Sequence, residues 1–427
     1  MKMNVPETGK NRVVIIGGGF GGIELAMKLS RTDYQVVLID RHNYHTFQPL
    51  LYQVATGGLE PGSIAYPLRK ALRSSPNAIF RLAEVTAVIP EKNKIATNIG
   101  LLEYDHLVIS TGSTTNFFSF GEEVSGKMMS LKTIPEALDF RSYILQNFEQ
   151  AHYTDSETEK EELFNIAIVG GGPTGVEMAG ALGEMKRSVL PKDYPELDFR
   201  RMHIHLFEAG PRLLGAMSEA ASDKALGYVR DFGVNVWLNA IVTGYDGEML
   251  TLKDGTTVHS STLMWTAGVK GTALNGLPET AYAGGGRIAV DEFNRVIGTS
   301  NIFAIGDVAA MQLADFPKGH PMVAPVAIQQ AQLLFKNLRN MALQQPLQSF
   351  RYFDKGSMAT IGRNKAVVDI GKFHFGGLLA WMTWMFVHLI TLVGFRNKLV
   401  VFVNWIYNYF TYDRTLRLII RPFRRIP

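Results

Sequence analysis

A chain of 427 residues, 46% hydrophobic and 19% charged, is too long for one ordinary domain and too apolar to be disordered, so two dinucleotide-sized domains plus a further module are expected. The formal charge of +4 comes with no basic, aromatic-interleaved motif, which argues against nucleic acid and makes an anionic membrane surface the better partner. Cysteine is absent, which excludes disulfides, thiolate metal sites, iron–sulfur clusters and redox dithiols, so electron transfer here calls for an organic cofactor and no metal site is expected.

Residues 1–10 are polar and lack the apolar core of a secretory signal, so the body of the chain reads as cytoplasmic. From Arg12 a buried-strand run, Val-Val-Ile-Ile, breaks into Gly17-Gly-Gly-Phe-Gly-Gly22 and continues as a helical pattern through Ile23, Ala26 and Met27. A second apolar run over 36–39 ends at Asp40, near the 20-residue interval expected of a βαβ dinucleotide unit. In this unit Gly17 permits the tight turn, Gly19 lets the backbone approach a pyrophosphate, and Gly22 lets helix and strand pack closely. The helix N-terminus attracts phosphate through free N–H groups and its dipole, and Asp40 accepts from a ribose. The bland alternative is a glycine turn with no ligand.

Residues 151–162 are polar and mostly acidic and read as a solvated linker or loop. The first pattern then recurs, with Gly170, Gly172 and Gly175 at the three glycine positions and Glu208 closing the strand over 203–207. The longer interval to Glu208 calls for an insertion around 186–201. At Glu208 the 2′-phosphate of NADPH meets a carboxylate. Like charges about 4 Å apart repel by about 1 kcal/mol in water and about 4 kcal/mol at an effective dielectric of 20, a bias of roughly tenfold to several hundredfold toward NADH. Arg212 is close enough in sequence to soften this, although a surface arginine is the simpler reading. Turns follow at 253–255 and 284–286. Then comes a strand over 302–305 whose end, Gly306-Asp307, suits a carboxylate aimed at a flavin ribityl chain, and a helix over 325–340. Two nucleotide sites in one chain suggest a relay in which a nicotinamide delivers hydride to a tightly held flavin.

These residues resemble the two-dinucleotide-binding-domain flavoproteins, and within them the type II NADH dehydrogenases, the non-pumping NADH:quinone oxidoreductases. The marks of the superfamily are Gly17 to Gly22, Tyr104-Asp-His-Leu-Val-Ile-Ser-Thr-Gly112, Gly170 to Glu177, Trp265-Thr-Ala-Gly268 and Asn301 to Asp307. Closer to the quinone reductases are Asn43-Tyr-His-Thr-Phe-Gln-Pro-Leu-Leu-Tyr-Gln-Val-Ala55, Ala324-Pro-Val-Ala-Ile-Gln329 and an aromatic tail. The resemblance implies an α/β fold of two Rossmann-like domains plus a C-terminal membrane-associating helical module. It places a discontinuous FAD domain at 1–115 and 290–345, an NADH domain at 116–289 and the anchor at 346–427. Phe20, Gly21, Arg41, Thr111 and Gly112 join the FAD set, and Gly268 the NADH set. Glu177 matches a glutamate between nicotinamide and flavin that steers a proton or holds the nicotinamide; its alternative is a first-turn carboxylate complementing the helix dipole. Gln329 keeps the last glutamine of a quinone-site pattern whose first is replaced by Pro325, and it donates to a quinone carbonyl or bonds to backbone. Sulfide and dithiol chemistry fall with the missing cysteines. A soluble-acceptor diaphorase or ferredoxin-type reductase and a membrane-attached redox sensor stay open as alternatives.

The tail carries the apolar excess. Residues 376–395 hold no formally charged side chain over about 20 positions, enough for a bilayer span. The next helix, over 397–414, carries Asn397, Asn404, Asn408 and Thr411 as one polar stripe among Phe402, Trp405, Ile406, Tyr409 and Phe410, with Arg396, Lys398, Arg414, Arg417, Arg421, Arg424 and Arg425 as a basic fringe. This favours a surface-lying helical pair on the cytoplasmic face of the inner membrane over a transmembrane helix or a homodimer interface.

Overall fold

The computed structural model describes residues 2–411, 417–419 and 423. The chain forms two compact units: Met1–Thr46 with Ala65–Thr114 and Val269–Asp354, and Phe47–Ile64 with Thr115–Gly268 and Lys355–Pro427. Arg414, Arg421, Arg424 and Arg425 lie outside the described residues.

The first unit is built on a five-stranded parallel sheet in the order Ile302–Ala304, His106–Ile109, Arg12–Ile16, Gln35–Asp40, Ala78–Leu82. Val14 registers with Val37 on one side and Leu107 on the other. Both faces of this sheet are covered, which is why its strands read as unbroken apolar runs rather than alternating ones. Val13 and Ile15 face Leu25, Leu29, Leu334 and Leu338, whereas Val14 and Ile16 face a second core with Ile109, Ile288 and Val290.

The second unit repeats the plan with four parallel strands in the order Val234–Trp237, Ile204–Phe207, Ile166–Val169, Thr262–Trp265. Its crossover helix, Pro173–Ser188, is followed by a short helix, Leu190–Asp193, and a 3-10 turn, Phe199–Arg201, and these account for the long interval between Gly170 and Glu208. The expected linker is half helix. Ser156 accepts from the Glu159 N–H and caps Glu157–Phe164, with Glu157 and Glu159 in the first turn where acids complement the dipole, and Arg201 pairs with Glu157 and Glu161. Charge density, read as a sign of solvation, was serving a capped helix.

The sequence sets residues 346–427 apart, but the structure packs much of that stretch onto the second unit. The antiparallel strands Ser357–Gly362, Lys365–Ile370 and Phe373–Gly376 follow each other as a meander. A Cβ at Gly180 would collide with the Ile361 carbonyl, so the Pro173–Ser188 helix meets this sheet backbone to backbone. The apolar stretch 376–395 is not one span. It yields a 14-residue helix, Leu378–Thr391, and then breaks at Gly394, whose φ of 88° belongs to glycine, before a 17-residue helix, Phe395–Thr411. No helix among the described residues is long and apolar enough to cross a membrane.

Candidate functional site

In the first unit the three glycines each answer to a different neighbour. Gly17 sits at φ 101°, and a Cβ there would collide with the Ser110 carbonyl; a Cβ at Gly22 would run into the Gly17 carbonyl. Gly19, the residue that starts the Phe20–Leu29 helix, is exposed and has open space where a Cβ would be, as a ligand-facing backbone requires. Asp40 accepts from the Gly18 N–H at 2.6 Å and from the His42 N–H at 2.7 Å, one bond per oxygen, leaving lone pairs for hydroxyl donors. Phe20 stands edge-on to His45 at 4.9 Å between centroids. Gly21 has a packing role: a Cβ would come 3.1 Å from the Ala327 carbonyl, under the Ala324–Ala342 helix. Arg41 is exposed just past Asp40. Thr111 donates to the Thr272 carbonyl at 2.6 Å, and Gly112, at φ 70°, faces open space. Gly306 adopts φ 75°, and Asp307 accepts from the Ser113 hydroxyl at 2.5 Å.

Three residues that hold this loop were given no role by the sequence, although Ser110 and His45 lie within its quoted motifs. Ser110 Oγ lies 2.9 Å from both the Ile16 and Gly17 carbonyls and pins the turn from the neighbouring strand. His45 Nδ1 lies 3.0 Å from the Gly18 carbonyl, a contact that requires the Nδ1–H tautomer; burial lowers its pKa and keeps the ring neutral. Gln330 is fully buried, and its Oε1 accepts from the Gly306 N–H at 2.7 Å. A glutamine on the apolar stripe of Ala327, Ala331, Leu334 and Leu338 was the one visible signal for it.

The second loop repeats the first nearly atom for atom. Gly170 has φ 112°, a Cβ at Gly175 would collide with the Gly170 carbonyl, and Gly172 is open. Thr266 Oγ1 lies 2.9 Å from the Val169 carbonyl and 3.1 Å from that of Gly170, in the place of Ser110. Glu208 accepts from the Gly171 N–H at 2.6 Å and from the Gly210 N–H at 2.7 Å, in the place of Asp40. Gly268 lies where a Cβ would come 2.9 Å from the Phe118 ring. Arg212 donates to the Gly215 carbonyl at 3.0 Å.

Glu177 lies in the second turn of the Pro173–Ser188 helix, whose first turn holds no acid, so the dipole-complementing alternative does not describe it. Burial pushes its carboxyl up to about 8, against smaller opposing effects of the Thr360 amide and the Trp384 indole. No bond of normal geometry ties that indole N–H, whose ring is almost fully buried. Near neutral pH the site therefore holds a neutral acid able to donate a proton. Gln329 is committed elsewhere: its amide donates to the Phe353 carbonyl at 2.9 Å and accepts from the Phe353 N–H at 3.0 Å.

The last two helices divide polar from apolar side chains. The asparagine stripe faces protein: Asn397 donates to the Gly62 carbonyl, Asn408 to the Gly58 carbonyl, and Trp405, buried between them, to Gln53. The outer face is apolar, with Leu379, Met382, Phe386 and Ile390 on one helix and Phe395, Leu399, Phe402, Ile406 and Phe410 on the next, all more than 40% exposed. Polar side chains satisfy the backbone of residues 58–62 while the hydrophobes are left outside.

A family model of pyridine nucleotide-disulphide oxidoreductases matches residues 11–331, and one of the NDH2 C-terminal domain matches residues 355–412. The chain is 36% identical over 417 residues to the type II NADH:quinone oxidoreductase Ndh of Mycobacterium tuberculosis, covering 93% of this chain and 87% of the relative. It is 31% identical over 386 residues to the type II NADH:quinone oxidoreductase of Haemophilus influenzae, covering 83% and 86%. A structure of NDH2 from Plasmodium falciparum in complex with NADH shares the fold at a TM-score of 0.88 and 23% identity, covering 96% of this chain and all of that one.

Proposed function

The chain belongs to the type II NADH:quinone oxidoreductases, and from that premise we propose that the first glycine loop holds FAD, the second takes NADH as substrate, and the acceptor is a quinone reduced without proton pumping. The observation that carries this reading is the matched pair of cradles, each with an open middle glycine, a helix N-terminus and a carboxylate with spare lone pairs. The residues present fit a flavin dinucleotide: Gly19 and Gly112 leave room for the cofactor, Asp40 suits a ribose, and Asp307, held by Ser113, suits the ribityl chain. When bound, FAD supplies the redox chemistry, taking hydride from NADH and passing two electrons to the quinone. The chain contributes position and protons. Glu208 selects NADH over NADPH by charge, and Glu177 keeps a proton in reserve.

The exposed apolar face of the two final helices supports peripheral docking, which we assign to the cytoplasmic face of the inner membrane. Burying each large apolar side chain in lipid contributes roughly 1.5–3 kcal/mol, so a handful suffices for stable attachment without a span. Replacing Phe386, Phe402 and Phe410 by Ser should move the protein from sedimenting with anionic liposomes to the supernatant; an unchanged sedimentation together with a shift from dimer to monomer would assign this face to a second copy instead.

Anaerobic stopped-flow tests the whole reading. NADH should bleach the flavin absorbance within the dead time or shortly after, and a short-chain quinone should restore it rapidly. Bleaching that quinone does not reverse would favour the redox sensor or the soluble-acceptor reductase.

A further inference from the structure

A cavity of about 110 Å³ lies in the second unit between the Pro173–Ser188 helix, the Ser357–Gly362 strand and the two C-terminal helices. At roughly 10–15 Å³ per water centre it has room for several waters, and Gln53, Thr56, Thr360 and Asn408 set polar groups into its largely apolar wall. Glu177 and Glu184 both line it, two helical turns apart on one face of the same helix and so separated by about 10 Å along the axis. Glu177 is buried. Glu184 is partly exposed, and its Oε1 accepts from the Arg363 N–H at 2.9 Å. The other titratable or charged groups facing the cavity are Tyr52, Arg363 and Tyr409. Arg363 donates to the Tyr409 and Asn408 carbonyls. Among the lining residues the two glutamates are the only carboxyls.

We propose that Glu184 is the inlet through which solvent protons reach Glu177 across the waters of this cavity. The proposal rests on the reading of Glu177 as proton donor to the quinone. The balance requires such a path: NADH brings two electrons and one proton as hydride, quinol formation consumes two protons, and one must come from solvent in each turnover. Glu177 gives up its carboxyl proton and becomes a carboxylate; Glu184 then passes a proton inward along the waters and takes another from outside. A direct handover is impossible, because a hydrogen bond spans about 3 Å and the two side chains start about 10 Å apart. Ala181, one turn from each, lines the wall between them.

The test is hydrogen–deuterium exchange of the Glu177 carboxyl in resting holoenzyme, followed by infrared difference spectroscopy and identified by loss of the band in Glu177→Gln. Glu184→Gln should slow that exchange by about tenfold or more, Glu184→Asp should recover most of it, and Ala181→Val, which fills the water path without touching either acid, should slow it as well. The same variants should slow flavin reoxidation by a short-chain quinone in parallel and introduce a solvent isotope effect. Unchanged exchange in both Glu184→Gln and Ala181→Val would overturn the inlet while leaving Glu177 as donor. Wild-type quinone reduction and pH profile in Glu177→Gln would remove the donor itself, and the inlet with it.

Discussion

The two glycine loops share a backbone but not a roof. In each, a strand-end glycine at positive φ turns under a hydroxyl from the adjacent strand, Ser110 or Thr266, and a carboxylate ties the second glycine's N–H, Asp40 or Glu208. Beyond that they diverge. Over the first, Gly21 lies against Ala327, and Gln330 from the same helix fixes Gly306, so one long helix closes the loop on its own unit. In the second, the corresponding positions are Pro173 and Thr174, both exposed. The same phosphate chemistry thus comes in a covered form, suited to a cofactor that stays, and an open form, suited to a substrate that must leave.

The sharpest way to break the symmetry is to put the same side chain into each loop. Gly22→Val and Gly175→Val both drive a branched Cβ into a carbonyl of their own loop. If the covered loop holds the resident cofactor, Gly22→Val protein should purify with flavin content below about a tenth of wild type, as even a modest overpacking penalty of about 1–3 kcal/mol shifts binding by one or two orders of magnitude. Gly175→Val should purify yellow but require NADH concentrations at least about tenfold higher for half-maximal bleaching. Flavin loss from both, or from Gly175→Val alone, would reverse the assignment.

Glu177 distinguishes the second unit further, because its counterpart one turn into the first glycine helix, Glu24, is partly exposed, pairs with Lys28 and accepts from the Gln332 amide, whereas Glu177 is buried. Its folded-state pKa, raised from 4.5 to about 8, has a definite sign. The neutral form carries no charge to desolvate, so the ionisation penalty is absent below about pH 4.5, grows by roughly 1.4 kcal/mol per pH unit as pH rises, and levels off above about 8. Stability in Glu177→Gln should therefore lose this decline between pH 5 and 8 in denaturant titrations. Quinone reduction should fall by about a hundredfold below pH 8 and lose its descending limb near that value. A variant with the wild-type profile would show that the carboxyl neither donates nor titrates in the reaction.

What was legible in the sequence follows from which forces act locally. Glycine turns, strand-end acids and buried strands announce themselves because a positive φ, a close backbone approach or a doubly covered strand tolerates few residue types. Gly17, Asp40, Gly170 and Glu208 were found that way. Ser110, Thr266 and His45 were not, since each acts on a loop distant in sequence through one or two hydrogen bonds, and a serine or threonine just past a strand or a histidine within one is not unusual. The tail is instructive in another way. Its polar stripe is legible in the sequence, but what the stripe faces is not: Asn397 and Asn408 cap carbonyls of residues 58–62. Periodicity locates a stripe; it does not say which side is solvent.

Glu208 offers a milder perturbation of the comparison. Its two oxygens each hold a backbone N–H, as those of Asp40 do, so Gln at 208 keeps one acceptor while removing the charge. The preference for NADH over NADPH, measured as the ratio of kcat/KM, should drop about tenfold, in line with about 1 kcal/mol or more of like-charge repulsion. Asp40→Gln should leave that ratio where it was if the first loop holds FAD, as proposed.

The smallest effect separates two adjacent glutamines. Gln329 makes two hydrogen bonds to the one of Gln330, but its partner is the exposed backbone of Phe353, where water can substitute. Gln330 holds a buried N–H at Gly306, where water cannot. Gln330→Leu strands that donor and should cost about 1–3 kcal/mol, visible as a lower thermal midpoint and faster flavin release, whereas Gln329→Leu should cost less than about 1 kcal/mol. If Gln329→Leu instead raises the KM for quinone without changing the thermal midpoint, its amide leaves Phe353 to meet the quinone during turnover, and the role implied by the family pattern is restored.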